Sequence, residues 1–255
     1  MQTVLFHSTI FGPIHSRRLG TSLGVNLSPD DGKVCSFDCR YCEAGFNAQG
    51  TGTTGLPPRQ EVRRQLEAKL LQMKAAGEGL DVITFSGNGE PTMHPEFAGI
   101  IDDTLALRDR YFPDVKVSVL TNATRLRKPE VVEALRRVDN NILKLDSALT
   151  PTMRAIDRPV DKDFTAESAI ADLEQFRGTG VIQTMLLRGS DFDNTTETEL
   201  AALAEAYRRI GPREVMLYSI DRPTPDKTLT RVMPDELKEY AQRLSEISGI
   251  HVYAY

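Results

Sequence analysis

Cys35, Cys39 and Cys42 are the three cysteines of a 255-residue chain, and they fall within eight positions. The spacing C-x3-C-x2-C lets one short loop curl until three sulfurs converge, as a small metal cluster requires. A [4Fe–4S] cluster commonly uses four thiolates. Three thiolates leave one iron without a protein ligand, so a small molecule can bind there. Two other readings stay open. Structural zinc wants four closed ligands, but no Cys follows Cys42, and the nearest histidines are His15 and His94. A disulfide with a spare thiol belongs to an oxidising compartment, which nothing in the sequence suggests.

A second polar stretch is Phe85-Ser86-Gly87-Asn88-Gly89-Glu90-Pro91-Thr92. Its glycines let the backbone approach a ligand closely, and Glu90 is an acceptor for a cationic amino group. The alternative is a plain strand-to-helix turn. Thr121-Asn122 and Asp146-Ser147 also follow strand-like runs, as turn formers or as hydrogen-bonding groups for a ligand. Lys144 lies two residues before Asp146, so strand alternation points both to one face. An unpaired lysine inside a barrel costs several kcal/mol. Lys144 therefore contacts a ligand, serves as an amine for imine chemistry, or ion-pairs with Asp146 or Glu90. Arg188 is a weaker candidate of the same kind, and Tyr218 ends a later strand. His15, Arg17 and Arg18 read by default as a solvated loop.

These residues need elements to hold them. Residues 12–20 read as a polar loop, 22–27 as a first strand feeding the cysteine loop, and 44–58 as a long Gly- and Thr-rich excursion. Val62, Leu66, Leu70 and Met73 recur at helical spacing, predicting a helix over 59–76 that stops at Gly77. Alternation follows. Strands are expected at 82–85, 115–120, 141–146, 181–187 and 214–219, with a final short one at 250–255. Helices are expected at 95–110, 129–137, after Thr165, after Thr196 and from Pro234. Thr196 with Glu199 reads as a capping box. Six βα units imply a parallel sheet with helices outside. Both a doubly wound sheet and an incomplete barrel satisfy that pattern, and in either the ligand lies where strands hand over to loops. No linker or repeat interrupts the chain, so residues 1–255 are expected to form one domain.

Composition is ordinary for a soluble protein, with 40% apolar and 26% charged residues and a net charge of −5. Nucleic-acid binders usually carry a basic face, so that class of partner is disfavoured. The first residues lack the pattern of a signal peptide, and no apolar run nears the about 18 residues of a membrane span. A cytoplasmic location, suited to an oxygen-sensitive cluster, is expected.

The cysteine motif resembles that of the radical S-adenosylmethionine (SAM) superfamily, and residues 85–92 resemble the glycine-rich SAM-binding segment of that family at the right distance. The resemblance implies a partial (β/α)6 TIM-type barrel. It implies a [4Fe–4S] cluster on Cys35, Cys39 and Cys42, with SAM on the open iron. It places the backbone of Tyr41 against adenine and Gly87, Asn88, Gly89 and Glu90 along the methionine moiety. Thr121, Asn122, Asp146, Ser147, Arg188 and Tyr218 join them as cofactor residues, with Lys144 as the catalytic candidate. The implied reaction is reductive cleavage of SAM to a 5′-deoxyadenosyl radical that takes hydrogen from a substrate, fed by a flavodoxin- or ferredoxin-type electron donor. Most of the family has Gly-Gly-Glu where this chain has Gly-Asn-Gly-Glu.

Residues 12–20 and 219–223 are similar to a subgroup that includes wyosine-base synthases, which modify a guanosine of transfer RNA using pyruvate and a second cluster. This chain has no cysteines for a second cluster and is acidic, so the substrate stays open. The alternatives are a tRNA base-modifying enzyme and a metal-cluster module that never turns over SAM.

Overall fold

The computed structural model describes residues 4–16 and 18–255. Arg17 and the first three residues lie outside them. The chain begins with β1 (Ile10–Ser16) and β2 (Gly20–Val25), then α1 (Arg59–Ala76), β3 (Val82–Phe85), α2 (Phe97–Tyr111), β4 (Lys116–Thr121), α3 (Pro129–Arg137) and β5 (Asn140–Lys144). It continues through α4 (Thr150–Asp157), α5 (Ala166–Leu173), β6 (Val181–Met185), β7 (Leu187–Arg188), α6 (Glu197–Ile210), β8 (Glu214–Tyr218), β9 (Thr230–Arg231), α7 (Pro234–Ser248) and β10 (Val252–Ala254).

The main sheet runs β1-β2-β3-β4-β5-β6-β8-β10. From β2 onward every neighbouring pair is parallel. Spatial order follows chain order without reversal. A doubly wound sheet reverses once, so this is the incomplete barrel, six strands each followed by helix, with β10 appended. Crossovers of one hand place the helices in one layer, and α1 packs on α2, α2 on α3, α5 on α6 and α6 on α7.

Side-chain alternation sorts the two faces of the sheet. Leu23, Val25, Ile83, Phe85, Val117, Val119, Leu143, Ile182, Val215 and Leu217 join the helices in one buried core. On α1, Val62, Leu66, Leu70 and Met73 all face it, each burial worth about 1.5–3 kcal/mol. The intervening residues line the other face. There Ser22 Oγ meets Thr84 Oγ1 at 2.8 Å and Asn140 donates to Ser118 Oγ at 2.9 Å, while Ile142, Val181 and Met216 cluster with Leu19, Leu120 and Tyr255. The barrel interior is thus part polar, part apolar.

Three expectations need correction. Residues 12–20 are not simply a loop: Ile10–Ser16 forms a strand antiparallel to β2, with Ile10 opposite Val25 and Ser16 opposite Gly20. Helix α4 was not expected from the sequence, although Thr150-Pro151 places Pro at a first helical turn and Met153 and Ile156 are buried three residues apart. At α6, Thr196 accepts from the Glu199 amide at 3.4 Å, but the Glu199 carboxylate does not return the bond. It accepts from Ser147 Oγ at 2.7 Å instead, because a tertiary partner reaches it first.

Candidate metal and cofactor site

The cysteine loop follows β2 and is gripped from three sides. Val34 lies beside Gly89, donating to the Asn88 carbonyl at 3.2 Å and accepting from the Glu90 amide at 2.9 Å. The two polar stretches of the sequence are therefore hydrogen-bonded to each other. On the second side, Asn122 donates to Ser36 Oγ at 2.9 Å and to Cys35 Sγ at 3.6 Å. On the third, the Asp38 amide bonds the Asp157 carbonyl and the Arg40 amide the Ile156 carbonyl, both at 3.0 Å. The last carbonyls of a helix have no partner within it, and the loop satisfies those of α4. Phe37 anchors the loop from below, packed with Met153, Phe164, Ala166 and Ala169 against the flanks of Cys35 and Cys39.

The glycine segment is shaped by its neighbours. Gly87 sits at φ +136°, where side-chain-bearing residues are strained, and a Cβ on Gly89 would come within 2.0 Å of the Val34 carbonyl. Asn88 is fully buried: its side chain accepts from the Phe6 amide at 2.8 Å and donates to the Phe6 and Pro29 carbonyls, both at 2.9 Å. Glu90 accepts from the Thr92 amide and hydroxyl, from Thr121 Oγ1 at 2.7 Å and from the Asn122 amide at 2.7 Å. Its carboxylate locks the ends of β3 and β4 together. Burial raises its pKa, and the four donors oppose that rise.

At the end of β5 lies a buried charge cluster. The Lys144 ammonium contacts Asp146 Oδ2 and the Tyr41 hydroxyl and lies 3.0 Å from Asp157 Oδ1. Tyr41 donates to Asp146 Oδ2 at 2.5 Å, and Cys39 Sγ lies 3.5 Å from Asp157 Oδ1. Asp146 Oδ1 accepts from the Met185 amide at 2.8 Å. Burial raises the Asp157 pKa, and the neighbouring Lys144 ammonium opposes that rise. Burial also disfavours the Lys144 charge, but Asp146 and Asp157 outweigh it and hold Lys144 well above its ordinary range. Of the partners the sequence offered for an ion pair, Lys144 takes Asp146, and Asp157 joins it.

Burial, reinforced by Glu90, pushes Cys35 up to about 12, and burial raises Cys39 as well. A coordinating thiol is deprotonated by its metal. All three cysteines are free. Among the described residues no three His, Cys, Asp or Glu side chains gather round one point as a single ion requires. In a cube each thiolate meets a different iron, and the sulfurs need no common centre. A buried cation, Lys33, is tied to the same loop, donating to the Gly45 carbonyl at 2.8 Å.

Tyr41, Glu90, Thr121, Asn122, Lys144 and Asp146 thus surround the cysteine loop at the C-terminal ends of the strands. Tyr218 joins them there, packed with Tyr41 under Arg18, whose guanidinium carbon lies 4.9 Å from the Tyr218 ring. One buried Arg18 nitrogen has no hydrogen-bond partner. Other predicted residues are engaged elsewhere. Ser147 is fully buried and bonded to Leu149 and Glu199. Arg188 pairs with Glu236 and with Asp193 at 3.5 Å. Asn88 is spent on backbone. Sequence reasoning missed Lys33, Arg40, Asp157 and Asn194. Asn194 donates to the Asp146 carbonyl at 2.8 Å and accepts from the Leu187 amide at 2.8 Å. For Asp157, the unrecognised α4 was the only available signal.

The profile described as "Radical SAM superfamily" matches residues 31–187. A relative named UPF0026 protein, from Helicobacter pylori (strain J99), is 30% identical over 234 residues, spanning 89% of this chain and 71% of that protein. Among solved structures, a radical SAM methyltransferase from Sphaerobacter thermophilus superposes with a TM-score of 0.69 at 19% identity, over 92% of this chain and 65% of that one. TYW1 with a lysine-pyruvate adduct bound superposes with a TM-score of 0.63 at 18% identity, over 90% and 75%. At these identities both structures speak to the fold.

Proposed function

Because the chain belongs to the radical SAM superfamily, whose cofactors are a [4Fe–4S] cluster and SAM, we propose that Cys35, Cys39 and Cys42 hold that cluster in a SAM-cleaving enzyme that takes hydrogen from its substrate. The observation that carries this reading is the double hydrogen bond between Val34 and residues 88–90, which sets the thiols beside the glycine segment. A cluster held by Cys35, Cys39 and Cys42 would supply the one-electron reductive cleavage of SAM, and with it hydrogen-atom abstraction from a substrate. The chain's own work is positional. Gly89 brings bare backbone to the cysteine loop, and Gly87 lets the turn close against Asn26. Tyr41 lies over that loop, its hydroxyl fixed by Asp146. Asn122 and Asp157 touch Cys35 and Cys39, and the aromatic and aliphatic cluster of Tyr41, Ile156, Met185 and Tyr218 excludes water. An electron donor of flavodoxin or ferredoxin type completes the system, and the unbroken sheet supports one domain over residues 1–255. Among the described residues, no helix is long and apolar enough to cross a membrane.

Anaerobic reconstitution tests the reading. The protein takes up about four irons per chain and, once reduced, converts SAM to 5′-deoxyadenosine; Cys39→Ala does neither. Stoichiometric zinc, or full iron retention by Cys39→Ala, would overturn the assignment.

A further inference from the structure

Lys33 stands two residues before the first cysteine, and its side chain is 2% exposed. Burying an ammonium costs several kcal/mol unless partners offset it. The partners here are thin. Nζ donates to the Gly45 carbonyl at 2.8 Å. The nearest carboxylate oxygen, Asp38 Oδ1, is 3.7 Å away and already accepts from the Asn47 amide at 2.6 Å. Arg40, within the loop, and Lys144, at the end of β5, each meet two carboxylates. Gly45 in turn donates to the Cys42 carbonyl at 2.9 Å, so the ammonium is one backbone residue removed from the turn that carries the third thiol.

We propose that Lys33 is a fixed positive charge that raises the reduction potential of the cluster held by this loop. The inference rests on the cluster assignment above. Reduction adds one negative charge to the cluster. A cation nearby in a low-dielectric surrounding stabilises the reduced form more than the oxidised form. The electron comes from a one-electron protein donor, and Lys33 moves the cluster toward that donor's reach. Asp38, at 3.7 Å and partly exposed, cancels only part of this field. Lys33 touches no reacting atom in this role; it acts through the cluster.

The test compares wild type, Lys33→Met, Lys33→Gln and Lys33→Arg after anaerobic reconstitution, with iron measured first and the midpoint potential then read by EPR-monitored redox titration. The expected result is similar iron in all four, a shift to more negative potential in both neutral variants, and a midpoint near wild type in Lys33→Arg. Unchanged midpoints in the neutral variants overturn the proposal. So does an equal shift in Lys33→Arg, which would assign the effect to packing. Iron lost from both neutral variants but kept in Lys33→Arg makes Lys33 an assembly residue, and the proposal fails. A wild-type protein that loads no cluster defeats the cluster assignment itself, an outcome distinct from these.

Discussion

Lys144 joins two carboxylates, a phenol and, through Asp157, a cysteine. Both carboxylates are essentially without solvent. Removing one member of such a buried set leaves charges that nothing else neutralises, at a cost of about 3–5 kcal/mol. Lys144→Met is therefore expected to lower unfolding free energy by that amount in urea titration. Lys144→Met combined with Asp157→Asn is expected to recover part of the loss, because contacting residues do not act additively. A Lys144→Met protein as stable as wild type would show that the ion pair does not hold the site. The same logic separates Asn88 from Glu90. Asn88 fastens the N-terminal segment to the glycine turn, and Glu90 fastens two strand ends, so each shapes the cofactor site by gripping protein.

Between α1 and α2 the tie is a histidine. His94 Nε2 meets the Pro57 carbonyl at 3.0 Å, and Nδ1 accepts from the Glu96 amide at 3.1 Å. A second ring proton would face that amide N–H. Burial is the main cause that lowers the His94 pKa. Above about pH 6.5, the ordinary histidine value, folded and unfolded chains are both neutral here. Below it the unfolded chain takes the proton first, so stability falls as pH falls, by at most about 1.4 kcal/mol per pH unit. The stability difference between wild type and His94→Gln, followed by urea unfolding from pH 7.5 to 5, is expected to shrink or reverse as pH drops; a constant difference counts against a neutral His94. Elements of this kind differed in legibility. The helix over 59–76 and the Pro-initiated helices at 129 and 234 are written in local periodicity and fixed proline geometry. Helix α4 is as short as α5, eight residues each, but Leu149 gives it no side-chain cap where Thr165 announces α5, and β1 alternates weakly because it is an edge strand.

At the scale of the molecule, the cysteine loop is coupled to the far side of the barrel mouth by Arg40. It bonds Asp191 at 2.5 Å, Asp226 at 2.6 Å and Thr228 at 3.3 Å, and lies over Phe192. These partners flank β7 and β9, which pair with each other outside the main sheet. Arg40→Met is expected to cost about 1.5–3 kcal/mol of local stability, seen as roughly ten- to hundredfold faster amide exchange at residues 188–192 and 224–231, with β3 to β5 unchanged. Unaltered exchange would mean that the two loops hold separately. The sequence by itself determined the three thiols, the glycine segment and the repeating strand–helix order, because thiol spacing and hydrophobic period are local and need no partner. It could not choose between a barrel and a doubly wound sheet, since strand order is decided by which edges meet. Nor could it reveal that Asp157 reaches Lys144 and Cys39, or that Ser147 turns to Glu199. Those contacts join residues up to 118 positions apart, and only the closing of the chain on itself brings their charges within bonding distance.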